Sequence, residues 1–213
     1  MNTRLKHIII FFTAISFVLV LAKSFYYTEK TSGVDLRHHI IASRLLGTAH
    51  SPYLYKPEIT DGDYFLEGHK SNHKTGNGTT VTPAVLFMFY PLSLLPYKAI
   101  RIIWMFMQFI FLALSIWPAI KNKQQLKNNF LPLILVVSGL VCSNVWLMHI
   151  ERGQVYIFYA FLIALSYWSY QSERKYSQLL SGFIAGILIF IRPLAGVIII
   201  SFLLYKKQRW IYG

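Results

Sequence analysis

A chain of 213 residues that is 55% hydrophobic and only 14% charged, with a mean hydropathy of +0.46, is too apolar for an ordinary soluble domain. Its formal charge of +13 comes from 21 Lys and Arg against 8 Asp and Glu, split into short clusters between apolar runs rather than gathered on one aromatic-laced face. That excludes nucleic acid as a partner and makes the basic residues markers of membrane topology.

Arg4 and Lys6 precede an apolar run from Ile8 to Ala22. Its length is at the upper end of the signal-peptide range, but further apolar runs follow. Residues 1–22 are therefore expected to stay as a first transmembrane helix, with the basic amino end in the cytoplasm. Residues 23–80 then form a large polar outer loop holding Glu29, Asp35, Glu58, Asp61, Asp63 and Glu67, most of the acidic residues of the chain. A connection of that length is expected to be functional rather than passive. Within it, Leu36, Ile40 and Leu46 recur at helical spacing, which predicts an amphipathic helix from Asp35 to Gly47, ended by the glycine. Pro52 and Pro57 make their neighbourhoods extended or turned. The Gly, Asn, Asp and Thr content from Asp61 to Thr80 reads as flexible loop, with Asn77-Gly78 as a turn.

Residues 81–213 read as a multi-spanning bundle. Val81 to Pro96 carries Pro83, Pro91 and Pro96 and need not cross the membrane. Ala99 to Ile120 is long enough to cross a hydrocarbon core of about 30 Å. Phe130 to Ile150, Val155 to Tyr170 and Ser177 to Tyr205 follow, the last interrupted by Arg192-Pro193. With Val81 to Pro96 at the membrane surface, the clusters Lys121/Lys123/Lys127, Arg174/Lys175 and Lys206/Lys207/Arg209 all fall on the cytoplasmic side. Asp35, Glu151, Arg152 and Arg192 then share the outer face. The fold class is an all-α polytopic transmembrane helix bundle. Cys142, the single cysteine, leaves no intrachain disulfide and reads as inert packing in an apolar run.

Charges at apolar boundaries call for a reason, because an unpaired charge near hydrocarbon costs several kcal/mol. Glu151, Arg152 and Gln154 belong to a short polar knot, which an interfacial loop would also explain. Arg192 precedes a proline inside an apolar run, where a broken helix frees backbone groups and the cation faces a polar cavity. A lipid-linked phosphate suits it, since a guanidinium binds phosphate oxygens bidentately. Asp35, His38 and His39 fall on one helix face, for which neutral imidazoles at a membrane surface are favoured over a metal site. Asp61 and Asp63 form a second carboxylate pair, with the spacing of a turn or of a divalent-cation site. No metal ligand is assigned, and a divalent cation stays open as a cofactor.

The order of short motifs carries a resemblance. Gly33-Val34-Asp35, Ala42 to Gly47, Pro52-Tyr53, Pro83, Tyr90-Pro91-Leu92 through Leu95-Pro96, and Trp104 are followed by Gly153-Gln154, Ser181-Gly182 through Ala185-Gly186, Arg192-Pro193 and a basic exit before Trp210. In that order they resemble the amino-terminal half of glycosyltransferase family 87. The family is similar to the GT-C enzymes, multi-spanning proteins that take a sugar from a polyprenyl-phosphate carrier and need an acidic residue in the first outer loop. The chain departs from the family pattern after the aspartate, where Leu36-Arg37-His38-His39 stands in place of an early aromatic residue. Members are longer, so the resemblance implies a truncated GT-C-like bundle.

What it implies for function is transfer of a hexose or pentose from a polyprenyl-phosphate sugar donor to a lipid or glycan acceptor. The setting is the outer face of a bacterial plasma membrane. Asp35 is the expected general base, Arg192 and Arg152 the expected phosphate ligands, Gln154 and Glu151 further substrate contacts, and Asp61 and Asp63 secondary acids. The alternative is a non-catalytic membrane protein that binds or translocates a lipid-linked sugar and has no need of Asp35.

Overall fold

A computed structural model describes residues 3–55, 62, 81–121, 123–172 and 174–197. Among them the chain is all-α. Eight helices follow in order: α1 Thr3–Lys30, α2 Val34–Leu45, α3 Pro83–Ser93, α4 Tyr97–Lys121, α5 Lys123–Val141, α6 Asn144–Arg152, α7 Tyr156–Gln171 and α8 Ser177–Ile191.

Two of these helices are each long and apolar enough to cross a membrane, α1 over His7–Lys30 and α4 over Tyr97–Pro118. The bent pair Leu131–Val141 and Asn144–Arg152 makes a third crossing when counted as one. Phe11, Phe12, Val18 and Leu19 point outward from α1 with no protein over them. An apolar outer surface of this kind is what a bilayer, not water, stabilises.

Several boundaries differ from those read in the sequence, each for a physical reason. The first helix does not stop at Ala22 but continues to Lys30. In this extension Ser24 and Thr28 are buried while Lys23 and Glu29 are exposed, so the added turns are held by one packed polar face rather than by an apolar run. The segment Phe130 to Ile150 is not one straight span. It bends by 52° between α5 and α6, where Ser143 leaves helical geometry and its hydroxyl caps the new helix by accepting from the Trp146 amide at 3.2 Å. Cys142 lies at this bend and is exposed, so it is not packing material as expected. At the carboxyl end, α8 stops at Ile191 and Arg192 is extended, as a residue before proline must be. The Asn77-Gly78 turn and the basic cluster from Lys206 to Arg209 lie outside the described residues.

The short helix α3 rises only about 16 Å over its 11 residues, roughly half a hydrocarbon core. It packs with α2. Leu36 and Ile40 of α2 join Val85 and Phe89 of α3, Ile100 and Trp104 of α4, Leu162 of α7, and Ile184 and Leu188 of α8 in one core. A second core sits between α1, α4 and the α5–α6 bend, built on Val20, Met105, Val141, Trp146 and Ile150. Three polar anchors fix α2 to α3. Ser43 donates to the Leu86 carbonyl at 2.9 Å, and Arg44 donates through Nε to the Ser93 carbonyl and through Nη2 to the Leu95 carbonyl, both at 2.9 Å. Arg44 thereby closes the carboxyl end of α3, where carbonyls have no helical partner. The helix read as amphipathic is thus buried on most of its sides, with Arg37, His39, Ser43 and Arg44 all inside.

Candidate functional site

The helices bring several of their ends to one place. Tyr97, at the start of α4, donates its hydroxyl to the Gly33 carbonyl at 3.1 Å. Thr31, just past α1, donates to the Glu151 carbonyl at the end of α6 at 3.1 Å. Thr82, before α3, donates to the Ile191 carbonyl at the end of α8 at 3.0 Å. The start of α7 follows directly from α6 through Gly153, Gln154 and Val155.

Four of the sequence-derived residues meet here. Asp35 lies in the first turn of α2, after Gly33 has set the chain in the left-handed region with φ of 60°. Its carboxylate accepts from Arg152, Nε to Oδ2 at 3.2 Å and Nη2 to Oδ1 at 3.4 Å, a fork across 117 residues of sequence. Both partners reach solvent, with side chains 28% exposed for Asp35 and 51% for Arg152. Arg152 ends α6, and Gly153 at φ of 71° turns the chain there while its amide donates to the His149 carbonyl. Gln154 takes part through its backbone, its carbonyl accepting from Trp104 Nε1 at 3.3 Å. Glu151 likewise contributes its carbonyl oxygen.

Arg192 belongs to the same end. Its guanidinium carbon stands 5.0 Å from the Tyr156 ring centre and 5.7 Å from that of Tyr159, one turn apart on α7. The aromatic faces hold the cation in place and leave it exposed. The sequence singled out Arg192 but not these tyrosines. Their signal was available: two tyrosines three residues apart, immediately after the Gly153-Gln154 turn.

The histidines do not behave as a surface pair. His39 is buried, its ring centre 5.4 Å from that of Phe89. Burial pushes its pKa down to about 4 against the opposing pull of Asp35, so it is neutral in the fold. His38 is lowered too, by burial and then by Arg37. Among the described residues no three His, Cys, Asp or Glu side chains converge as metal ligands would. Asp61 and Asp63 lie outside the described residues.

A cavity of about 1420 Å³ opens at the other end of the bundle, lined by Ser115, Pro118, Trp168, Arg174, Tyr176 and Phe183 among others. None of the candidate residues borders it. Its walls are mainly apolar faces of α4, α7 and α8, and the candidate residues lie at the opposite end.

The family model of glycosyltransferase family 87 matches residues 80–212, well over half of the chain. The matched stretch holds Arg152, Gln154, Arg192 and the Tyr156/Tyr159 pair, and begins after Asp35. No curated protein and no solved structure matches the chain. The apolar crossing helices fit a membrane glycosyltransferase, and by the extent of its match this chain belongs to glycosyltransferase family 87.

Proposed function

We propose that this protein moves a hexose or pentose from a polyprenyl-phosphate-linked donor to an acceptor hydroxyl at the outer membrane face, using GT-C-type chemistry. The observation that carries the reading is the convergence of Asp35, Arg152 and Arg192 on one end of an otherwise apolar bundle. Asp35 takes the proton of the acceptor hydroxyl as that oxygen attacks the anomeric carbon. The bond from the anomeric carbon to the phosphate oxygen breaks, and polyprenyl phosphate leaves with the electron pair. Inversion at the sugar follows from a single displacement.

Charge grows on the departing phosphate, so cations held beside it stabilise the transition state more than the ground state. Arg192, seated on its tyrosines, is the fixed cation. Arg152 is the shared one. Its fork closes on the oxygens of Asp35, and a donor phosphate competes for the same donors. Turning Arg152 toward the phosphate frees the carboxylate for the acceptor. Binding of the donor and exposure of the base are thereby coupled. Gln154 and Glu151 border the same turn and are placed to contact the sugar. Asp61 and Asp63 serve as secondary acids, and a divalent cation is an option for that pair. The positive-inside tendency of the basic residues around Lys121 and Arg174 supports an outer position for Asp35.

The test is transfer by Asp35→Asn in the longest natural form of the protein, with a polyprenyl-phosphate sugar as donor. Turnover should fall by a factor on the order of 100 or more with donor binding kept. Arg192→Ala should weaken donor binding as well as turnover. Full transfer by Asp35→Asn, with Asp61→Asn and Asp63→Asn equally silent, would move the reading to a protein that binds or translocates a lipid-linked sugar.

A further inference from the structure

Arg101 stands in the second turn of α4, within a run that reads as a membrane span, and is only 4% exposed. A cation there is costly unless its surroundings hold it. The groups that hold it come from two other helices. Nη2 donates to Thr31 Oγ1 at 3.0 Å and to the carbonyls of Thr28 and Glu151, each at 3.4 Å, while Nη1 donates to the Ile150 carbonyl at 3.3 Å. Thr28 is in the last turn of α1, and Ile150 and Glu151 are in the last turn of α6. The Thr28 and Glu151 carbonyls are ones their helices leave without a backbone partner, at the negative end of the dipole, while the Ile150 carbonyl also accepts from the Gly153 amide at 3.1 Å. One guanidinium therefore closes two helices.

The same side chain presses against two glycines. A Cβ at Gly33 would clash with Arg101 Nη1, and one at Gly153 would stand 3.2 Å from Nη1 and 2.6 Å from Leu36 Cβ. Both glycines have positive φ. Each also adjoins a member of the charged pair: Gly33 starts the helix that carries Asp35, and Gly153 directly follows Arg152.

We propose that Arg101 is the positioning residue of the Asp35–Arg152 pair, fixing the start of α2 against the end of α6 so that carboxylate and guanidinium meet. What the pair then does rests on the function proposed above; the positioning does not. Lysine is a poor substitute, because a point charge cannot fork between the two helix ends.

The experiment reads geometry first. In a Cys142→Ser background, Asp35→Cys and Arg152→Cys are joined by a short bifunctional thiol reagent in nanodiscs, and the cross-linked chain is counted by mass spectrometry. With Arg101 present the link should form readily, and Arg101→Lys should slow it about tenfold in protein that still shows a melting transition. Thr31→Val removes one acceptor and keeps the arginine. It should slow the reaction less, and it carries the test if Arg101→Lys does not fold. An unchanged rate in a folded variant overturns the proposal and leaves Arg101 a buried structural cation. With Asp35 and Arg152 restored, Arg101→Lys should lower kcat more than it raises the donor KM. Slow cross-linking with normal transfer would keep the positioning and sink the catalytic role of the pair.

Discussion

The two ends of the bundle are held by different kinds of contact. At the Asp35 end, polar bonds join residues far apart in sequence: Arg152 with Asp35, Tyr97 with Gly33, Arg44 with Ser93, and Thr82 with the Ile191 carbonyl. At the other end they are local. Ser166 and Ser181 bond across the α7–α8 hairpin, and Ser177 donates to the carbonyls of Ser172 and Arg174 a few residues back. A hairpin alone can make the second set, whereas the first exists only when several helices have assembled. Charges in so apolar a chain are costly, and at this end they are held only by contacts that the assembled fold supplies.

The comparison is broken most severely at Arg44. It is 3% exposed and serves two carbonyls at the end of α3. Arg44→Met keeps much of the volume but leaves those oxygens unmet, which should cost about 3 kcal/mol. Unfolding in a denaturing detergent titration checks it. A loss below about 1 kcal/mol would mean that solvent reaches these carbonyls after all.

Next in size is a dependence on pH through His39. The folded state holds this imidazole neutral, with its pKa lowered to about 4, while the unfolded chain takes up a proton near pH 6.5. Stability is therefore full above about 6.5, falls as the pH drops, and has lost its whole contribution near 4. At pH 5 the loss is about 2 kcal/mol. His39→Gln should flatten the slope between pH 7 and 5, measured by thermal melting in nanodiscs. A slope that survives the substitution would place the titrating group elsewhere, with His38 the first to examine.

Much of this architecture was legible where polarity changes abruptly. The four residues from Glu151 to Gln154 interrupt two apolar runs, and they mark the turn between α6 and α7. Arg192-Pro193 ends α8 because proline constrains its neighbour. The three prolines of Val81 to Pro96 show that this segment need not cross, and the helix found there is short. Not legible in the sequence was that Arg37, Arg44 and Arg101, among the described residues, are taken inside. Arg101 sits near the start of a run that looks like a membrane span, and Arg37 and Arg44 sit on a helix whose polar residues would ordinarily face solvent. The acceptors of Arg44, and most of those of Arg101, are backbone carbonyls, which every residue has. No side-chain pattern announces them, and only the meeting of helix ends reveals that a cation is needed. The extension of α1 to Lys30 was missed for a related reason: Ser24 and Thr28 look like the start of a loop until a helix packs against them.

The smallest effect is expected at the far end, and it tests the contrast from the opposite direction. Ser181 is fully buried, donates to the Ser166 carbonyl at 2.8 Å and shares a 3.1 Å contact with the Ser166 hydroxyl. Ser181→Ala removes the donor but leaves no buried group stranded, because the Ser166 carbonyl lies within helix α7 and the Ser166 hydroxyl still reaches the Ser181 carbonyl at 3.1 Å. Interhelical hydrogen bonds of this kind in membranes average about 0.6 kcal/mol. The substitution should therefore cost less than about 1 kcal/mol in the same detergent titration as Arg44→Met, since the small side chain also opens almost no cavity. A loss as large as that of Arg44→Met would show that the hairpin end carries stability on the same scale as the charged end. The separation between a locally stitched end and a cooperatively assembled one would then fail at its simpler half.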